Sequence, residues 1–350
     1  MDSSCVLFYW ILVSGASAGQ QPDVNAGLRW LAAAQNGAGS WGVHDQLALT
    51  GMAGLTFLAS GSTPQIGPWS KSIDRALRFV LDCQEDGYAF IHDSSGYSEI
   101  HNHGFALLFL TQAFGETDEH LGHRLKRAIS HGIMASVKSQ MSNGGYGYSL
   151  YNRLNPKAAE MWREDEASTT ISQIQALRGA RNAGFSVEVR TIHAALDYIV
   201  RSQDPKTGGF FYSIGVTPVK VSMYEDGRPT FAISAASLAV LNSLGTYKGP
   251  IIDRGISYLE SFRPSRRQRE PWYYFGHYYA AQVMHAVGGK KGYDWFSAIN
   301  RELSARQSSD GGWPDDSTDT LDVNDSRILN TAWALQILFI YRGFLPIHER

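Results

Sequence analysis

Three clusters in this sequence combine residue types that can do chemistry. Glu164-Asp165-Glu166 stands just before Ala167-Ser168-Thr169-Thr170 and an apolar stretch. Neighbouring carboxylates can share a proton, which leaves one protonated and able to act as an acid. Asp165 is expected in that role, with Glu166 as its partner. Plain capping is the competing role, since acidic groups in a first helical turn stabilise it by about 0.3–1 kcal/mol. His101-Asn102-His103, together with His277, offers imidazoles for base or metal chemistry. His101 and His103 are two apart and diverge on a helix and on an extended segment alike, so they are poorly spaced for one metal. Hydrogen bonding to substrate at a cavity rim and a purely structural role both fit them. The third cluster is Trp272-Tyr273-Tyr274-Phe275-Gly276-His277-Tyr278-Tyr279. Aromatic faces stabilise cations and stack on sugar rings. Trp272, Tyr274 and Tyr278 are expected to contact substrate and His277 to act beside them. Core packing at helix seams is the alternative for each.

Two further clusters carry less. Asp315-Asp316-Ser317-Thr318-Asp319-Thr320-Leu321-Asp322, with Asn324 and Asp325, offers oxygen ligands for a hard cation. It lacks the glycine and closing glutamate of a calcium loop and reads mainly as a solvated acidic loop. Arg263, Arg266, Arg267 and Arg269 could hold an anion bidentately, or simply face water. There is no phosphate-cradling glycine loop, no dinucleotide fingerprint and no serine nucleophile elbow. No cofactor is expected.

The elements that must position these groups come from a repeat. Residues 27–41 read GLRWLAAAQNGAGSW, and similar units recur at 76–88, 136–146, 195–210 and 299–313. Each is an amphipathic stretch, a glutamine, a glycine-containing turn and an aromatic. The glutamines are Gln35, Gln84, Gln140, Gln203 and Gln307. The last interval is about twice the others. A unit without its glutamine fills the gap at 252–262, followed by Trp272, which makes six. In each turn glycine permits the positive φ of a helix end, and the glutamine can bond loose backbone groups there.

A second helix follows each turn, over 47–60, 101–114, 166–183, 231–244, 276–287 and 329–341. These differ in character from the first set. FAISAASLAVLNSLG is apolar or small on every side, the mark of a buried helix. In DRALRFVLDCQ, by contrast, Ala76, Phe79, Val80 and Cys83 share one face while Asp74, Arg78 and Asp82 are polar. Six hairpins of an outer amphipathic and an inner buried helix imply an all-α protein. Buried inner helices favour a closed α/α toroid over an open solenoid. The inner-helix N-termini then surround one end of the central cavity, and sites are expected there.

The unit Gly27–Trp30-Leu31–Gln35–Gly39–Trp41 resembles the QW motif of squalene–hopene and oxidosqualene cyclases, and Gln307–Gly311-Gly312-Trp313 matches its core. From about Gly27 to the C-terminus the chain resembles the prenyltransferase/squalene-oxidase-repeat superfamily. Residues 178–184, 272–281 and 330–347 are similar to uncharacterised bacterial single-toroid members. The resemblance implies a terpenoid-cyclase-like isomerase that takes a polyene or prenyl lipid in its central cavity. Asp165, with Glu166, would protonate an alkene or epoxide, and Tyr274 and Tyr278 would support the resulting cations. It also implies a small-molecule lipid or isoprenoid ligand and peripheral contact with a membrane. The sequence departs from the pattern in several places. The Asp-x-Asp-Asp acid motif is absent, as are a second toroid, the zinc-ligand cysteine of prenyltransferase β-subunits and the Gly-Cys-Gly-Glu-Gln string of thioester domains. Two other classes therefore stay open: a non-catalytic scaffold or lipid-binding module, and a polysaccharide lyase or hydrolase on the same fold.

Composition bounds these readings. The 350 residues carry 31 Lys plus Arg and 33 Asp plus Glu, a net charge of −2. That excludes a global positive field for nucleic acid. Two cysteines exclude a disulfide scaffold and a thiolate-rich metal site. The apolar run 5–13 is too short to span a bilayer. Ala16-Ser17-Ala18 after it fits a cleavage site, although Asp2 stands where a basic residue is usual. Residues 1–18 are read as a signal peptide and 19–350 as one toroid domain, secreted or periplasmic.

Overall fold

The computed structural model describes residues 21–84, 89–92, 98–150, 165–214, 227–264, 271–314 and 322–340. The signal-peptide assignment, Glu164, Asp315–Leu321 and Arg266, Arg267 and Arg269 lie outside the described residues. Twelve α-helices and no strand occur among those described. The outer helices are α1 (Val24–Ala33), α3 (Ser70–Asp82), α5 (Glu119–Ser139), α7 (Val189–Arg201), α9 (Pro250–Glu260) and α11 (Gly289–Arg306). The inner helices are α2 (Gln46–Ala59), α4 (Glu99–Ala113), α6 (Ala167–Asn182), α8 (Phe231–Ser243), α10 (Tyr273–Val287) and α12 (Val323–Phe339). Each inner helix packs on the next inner helix in turn, and α12 packs back on α2. The inner layer is therefore a closed ring, and the chain is an α/α toroid of six hairpins. The last inner helix begins six residues before the apolar pattern does. Asp322 caps it by accepting the Asn324 and Asp325 amides, so its polar first turns are still helical.

The two layers follow from their side chains. The outer helix α3 buries Ile73, Ala76, Leu77, Phe79, Val80 and Leu81, and turns Asp74 and Arg78 outward. The inner helix α8 buries residues on every side from Phe231 to Asn242. The same holds along α2, α4, α6, α10 and α12. The axis of the ring is consequently filled with side chains. One bond spans it: the Tyr279 hydroxyl of α10 donates to Gln175 Oε1 of α6 at 2.8 Å, although α8 lies between these helices in the ring.

The Gln–Gly–aromatic turns join neighbouring units. Gln35 Nε2 donates to Gly39 O and also to Ser72 O, at the start of the next outer helix. Gln140 does the same to Gly144 O and Thr191 O, and Gln203 to Gly208 O and Ile251 O. Gln84 reaches Ala128 O. Gln307 donates to Gly311 O and to Asp23 O, so the last turn is stitched to the first helix. The turn glycine must be glycine: Gly311 has φ +99°, and a Cβ there would lie 2.6 Å from the Ala26 carbonyl.

The two ends of the toroid differ. The chain passes from outer to inner helices through residues 34–45, 83–98, 140–166, 202–230, 261–272 and 307–322. It returns through 60–69, 114–118, 183–188, 244–249 and Gly288 alone. Long connections thus collect at the inner-helix N-termini, where binding loops are usually carried on a rigid scaffold.

Candidate active site

At that end the starts of α2, α4 and α6 bring a polar cluster together. His101 is half-buried in the first turn of α4. Its Nδ1 lies 2.9 Å from Ser98 Oγ and its Nε2 3.0 Å from Ser168 Oγ. Burial lowers its pKa, and the nearby Glu166 and Asp45 carboxylates pull the other way without cancelling the effect. The imidazole is therefore neutral near pH 7 and can accept a proton. Its ring stacks on Phe105 and tilts toward Tyr148. Tyr148, 39 % exposed, shares a hydrogen bond between phenols with Tyr212.

Two carboxylates flank this histidine in different ways. Glu166 is the N-cap of α6, and its two oxygens accept the Ser168 and Thr169 amides at 2.9 and 3.0 Å. Asp45 stands at the N-cap of α2 but makes no capping bond from its side chain. Its backbone is left-handed, φ +45°, a strained conformation for a residue with a Cβ. That turn directs the carboxylate to the neighbouring helix, where Oδ1 accepts from Asn102 Nδ2 at 2.5 Å. Asp165 is buried and accepts from Ser213 Oγ at 3.2 Å and the Ile214 amide at 3.0 Å. It ties the connection before α8 to the start of α6. Burial and the Asp165 charge push the pKa of the buried Tyr198 phenol upward.

The other expected site residues do not join this cluster. His103 is fully buried between layers: Nδ1 accepts the Phe90 amide at 3.2 Å, and Nε2 faces Gly132 O and Ser136 Oγ of α5. Burial lowers its pKa to about 4. His277 is on the outward face of α10, boxed by Phe231, Tyr273 and Trp295 with ring centroids 4.8, 4.3 and 5.8 Å away. Neither ring nitrogen has a hydrogen-bond partner. Burial, then Arg306, lowers its pKa to about 3. Trp272 is the left-handed residue before α10, φ +58°. Tyr274 donates to Pro314 O at 3.2 Å, and the buried Tyr278 has its pKa raised by burial. The structure thus brings His101, Asp165 and Glu166 to one end of the ring and holds His103 and His277 inside the helix layers. Asp325, expected in a solvated loop, is buried, and its oxygens accept the Val43 and His44 amides at 2.9 Å each. No three His, Cys, Asp or Glu side chains gather as a metal site among the described residues. A pocket of about 320 Å³ beside the end of α3 is lined by Phe79, Asp82, Cys83, Gln84, Ile91 and His92. The Cys83 thiol there is pushed up to about 12 by burial, then by Asp82, and stays protonated.

Asp45, Tyr148 and Tyr212 were not singled out in the sequence. Asp45 had a signal: Asp45, Glu166 and Asp322 all stand at the N-cap of an inner helix.

A closed double ring with polar groups at its inner N-termini defines an α/α-toroid protein. Solved structures of similar shape include two kinds of enzyme. An inactive variant of α-1,6-mannanase GH76A of Salegentibacter sp. HEL1_6, with two consecutive aspartates replaced and α-1,6-mannotriose bound, is 9 % identical. It matches with a TM-score of 0.64 over 91 % of this chain and 99 % of that one. The type II terpene cyclase MstE from Scytonema is 13 % identical, with a TM-score of 0.57 over 93 % and 97 % of the two chains. A GH76 α-mannanase from Bacteroides thetaiotaomicron is 10 % identical, with a TM-score of 0.58 over 89 % and 94 %. At such identities the likeness is one of fold. No protein-family model matches the sequence, and no curated protein matches it. No described helix is long and apolar enough to cross a membrane.

Proposed function

We propose that this chain acts on a neutral glycan at the long-connection end of the toroid. One observation carries the reading. The axis of the ring is packed, with Tyr279 bonded to Gln175 across it, whereas His101, two carboxylates and two tyrosines gather at the open end. An extended polar chain can lie across such a surface without threading the ring. The exposed Tyr148 ring and the half-buried Tyr212 beside it suit a sugar face, and carboxylates beside His101 disfavour an anionic group at that point. In this reading Asp45 and His101 handle the proton. The consecutive pair Asp165–Glu166 fixes the loops around them. The mannanase neighbours, one holding a mannotriose, support a glycan on this fold.

A polyene cyclase is the second reading. It is favoured by the aromatic residues Phe275 and Trp333 near the axis and by the fold shared with MstE. Asp165 would then be the acid that protonates the alkene, with Glu166 beside it and Tyr274 and Tyr278 supporting cations. Trp272 and His101 would touch the substrate, while His103 and His277, turned toward the outer helices, would not. The inner helices would have to part before a polyene could enter the packed axis.

A thermal-shift series separates the two. A ligand at 100 times its Kd adds about 2.7 kcal/mol of stability. Linear α-1,6-mannooligosaccharides and other neutral oligosaccharides should raise Tm, and Asp45→Asn should abolish product release from any glycan that is cleaved. A rise with squalene and none with saccharides overturns the glycan reading in favour of the cyclase. No rise with either favours a scaffold.

A further inference from the structure

The inner face of α12 carries two hydrogen-bond donors with nothing to donate to. Thr331 bonds the Trp313 amide, and Leu335 lies where a side chain on Gly27 would be, so these residues mark the side of α12 that faces the outer layer. Trp333 is 200° around the helix from Thr331 and points to the axis, and Asn330 lies within a turn of it on the same side. Asn330 Nδ2 and Trp333 Nε1 are both buried without a partner. Buried N–H groups normally find an acceptor, and leaving one without costs about 1–3 kcal/mol. Two such donors on one face mark a missing acceptor.

The surroundings say what kind of acceptor. On α10, Tyr279 points to the axis through its bond to Gln175, and Phe275 lies one turn toward the mouth on the same face. Phe275 meets the Trp333 ring edge-on, centroids 5.6 Å apart. Phe275, Asn330 and Trp333 are 8 %, 5 % and 4 % exposed, against 1 % for Tyr279. Above the Tyr279 bond, toward the mouth, aromatic walls thus carry two uncharged donors. No Lys or Arg belongs to this group, so a phosphate or carboxylate has no counter-charge there. A hydroxyl or ring oxygen on a flat apolar ring fits both features, and that is a neutral sugar.

We propose that Asn330 and Trp333 form a sugar-binding subsite, with Phe275 as its apolar wall. The proposal rests on the glycan reading above and adds the residues that seat the ring. The test uses the full chain with ¹⁵N-labelled tryptophan, the Trp333 indole signal being assigned from the Trp333→Phe variant. α-1,6-Mannotriose is titrated into wild type and into Asn330→Leu. The expected result is a moved Trp333 indole signal and at least tenfold weaker binding by Asn330→Leu. That variant should also melt higher, because it removes an unpaired buried donor and keeps the volume. Trp333→Phe should weaken binding similarly. Mannotriose binding that leaves the Trp333 signal still and Asn330→Leu at wild-type affinity overturns the subsite and spares the glycan reading. If neither mannotriose nor any other neutral oligosaccharide binds wild type, both fail.

Discussion

Acidification should destabilise this protein through two particular histidines. His277 and His103 are fully buried, with pKa values lowered to about 3 and about 4 from 6.5. Desolvation is the main cause in each, and Arg306 adds to it at His277. The folded state keeps both rings neutral, while the unfolded chain binds protons near pH 6.5. Their contribution is therefore present above pH 6.5 and lost as pH falls toward 4 and then 3. Each proton taken up only by the unfolded chain costs about 1.4 kcal/mol per pH unit below 6.5. Between pH 7 and pH 5, each histidine should remove about 2 kcal/mol. The readout is guanidinium unfolding at the two pH values, for wild type and His277→Phe. Phenylalanine fits the box of Phe231, Tyr273 and Trp295 and has no nitrogen to desolvate. The variant should lose about 2 kcal/mol less than wild type over this interval, and it should be at least as stable at pH 7. An equal loss in the two proteins would show that His277 is not held neutral by burial and would refute the reasoning.

Three further outcomes are expected. Asp325→Ala removes the acceptor of the Val43 and His44 amides at the seam between last and first hairpins; circular-dichroism melting should show a lower Tm, equivalent to about 2–4 kcal/mol. Gly311→Ala forces a Cβ onto the Ala26 carbonyl at a positive φ, and chemical denaturation should show a loss of about 2 kcal/mol or more. Tyr279→Phe leaves Gln175 Oε1 without its donor across the axis; the cost should be about 1–3 kcal/mol in the same assay, with the secondary structure unchanged.

The fold was legible because its signals are local. A glutamine, a positive-φ glycine and an aromatic recur in four of the described turns, and an all-round apolar helix follows. Gln307 bonding Asp23 O shows the same rule closing the ring. The site was less legible. His101, Asp165 and Glu166 could be found because they stand at inner-helix starts. His103 and His277 read the same way in sequence, yet the helical phase turns them toward outer helices. The role of Asp45 depends on a left-handed backbone, which a lone Asp does not announce. Tyr148 and Tyr212 meet across a distance in sequence that no periodicity encodes. The packed axis was not visible either, since apolar inner helices fill a ring or line a hollow one equally well.

The glutamine stitching also bears on how such a protein can vary. In an open stack a unit can be gained or lost, because the end simply moves. Here the stitches run round the ring from Gln35 at Ser72 O to Gln307 at Asp23 O, which closes it. An inserted or deleted hairpin would change the curvature of the whole circle and separate the last turn from the first helix. The number of hairpins is thus locked by closure, and new specificity has to arise in the long connections at the open end.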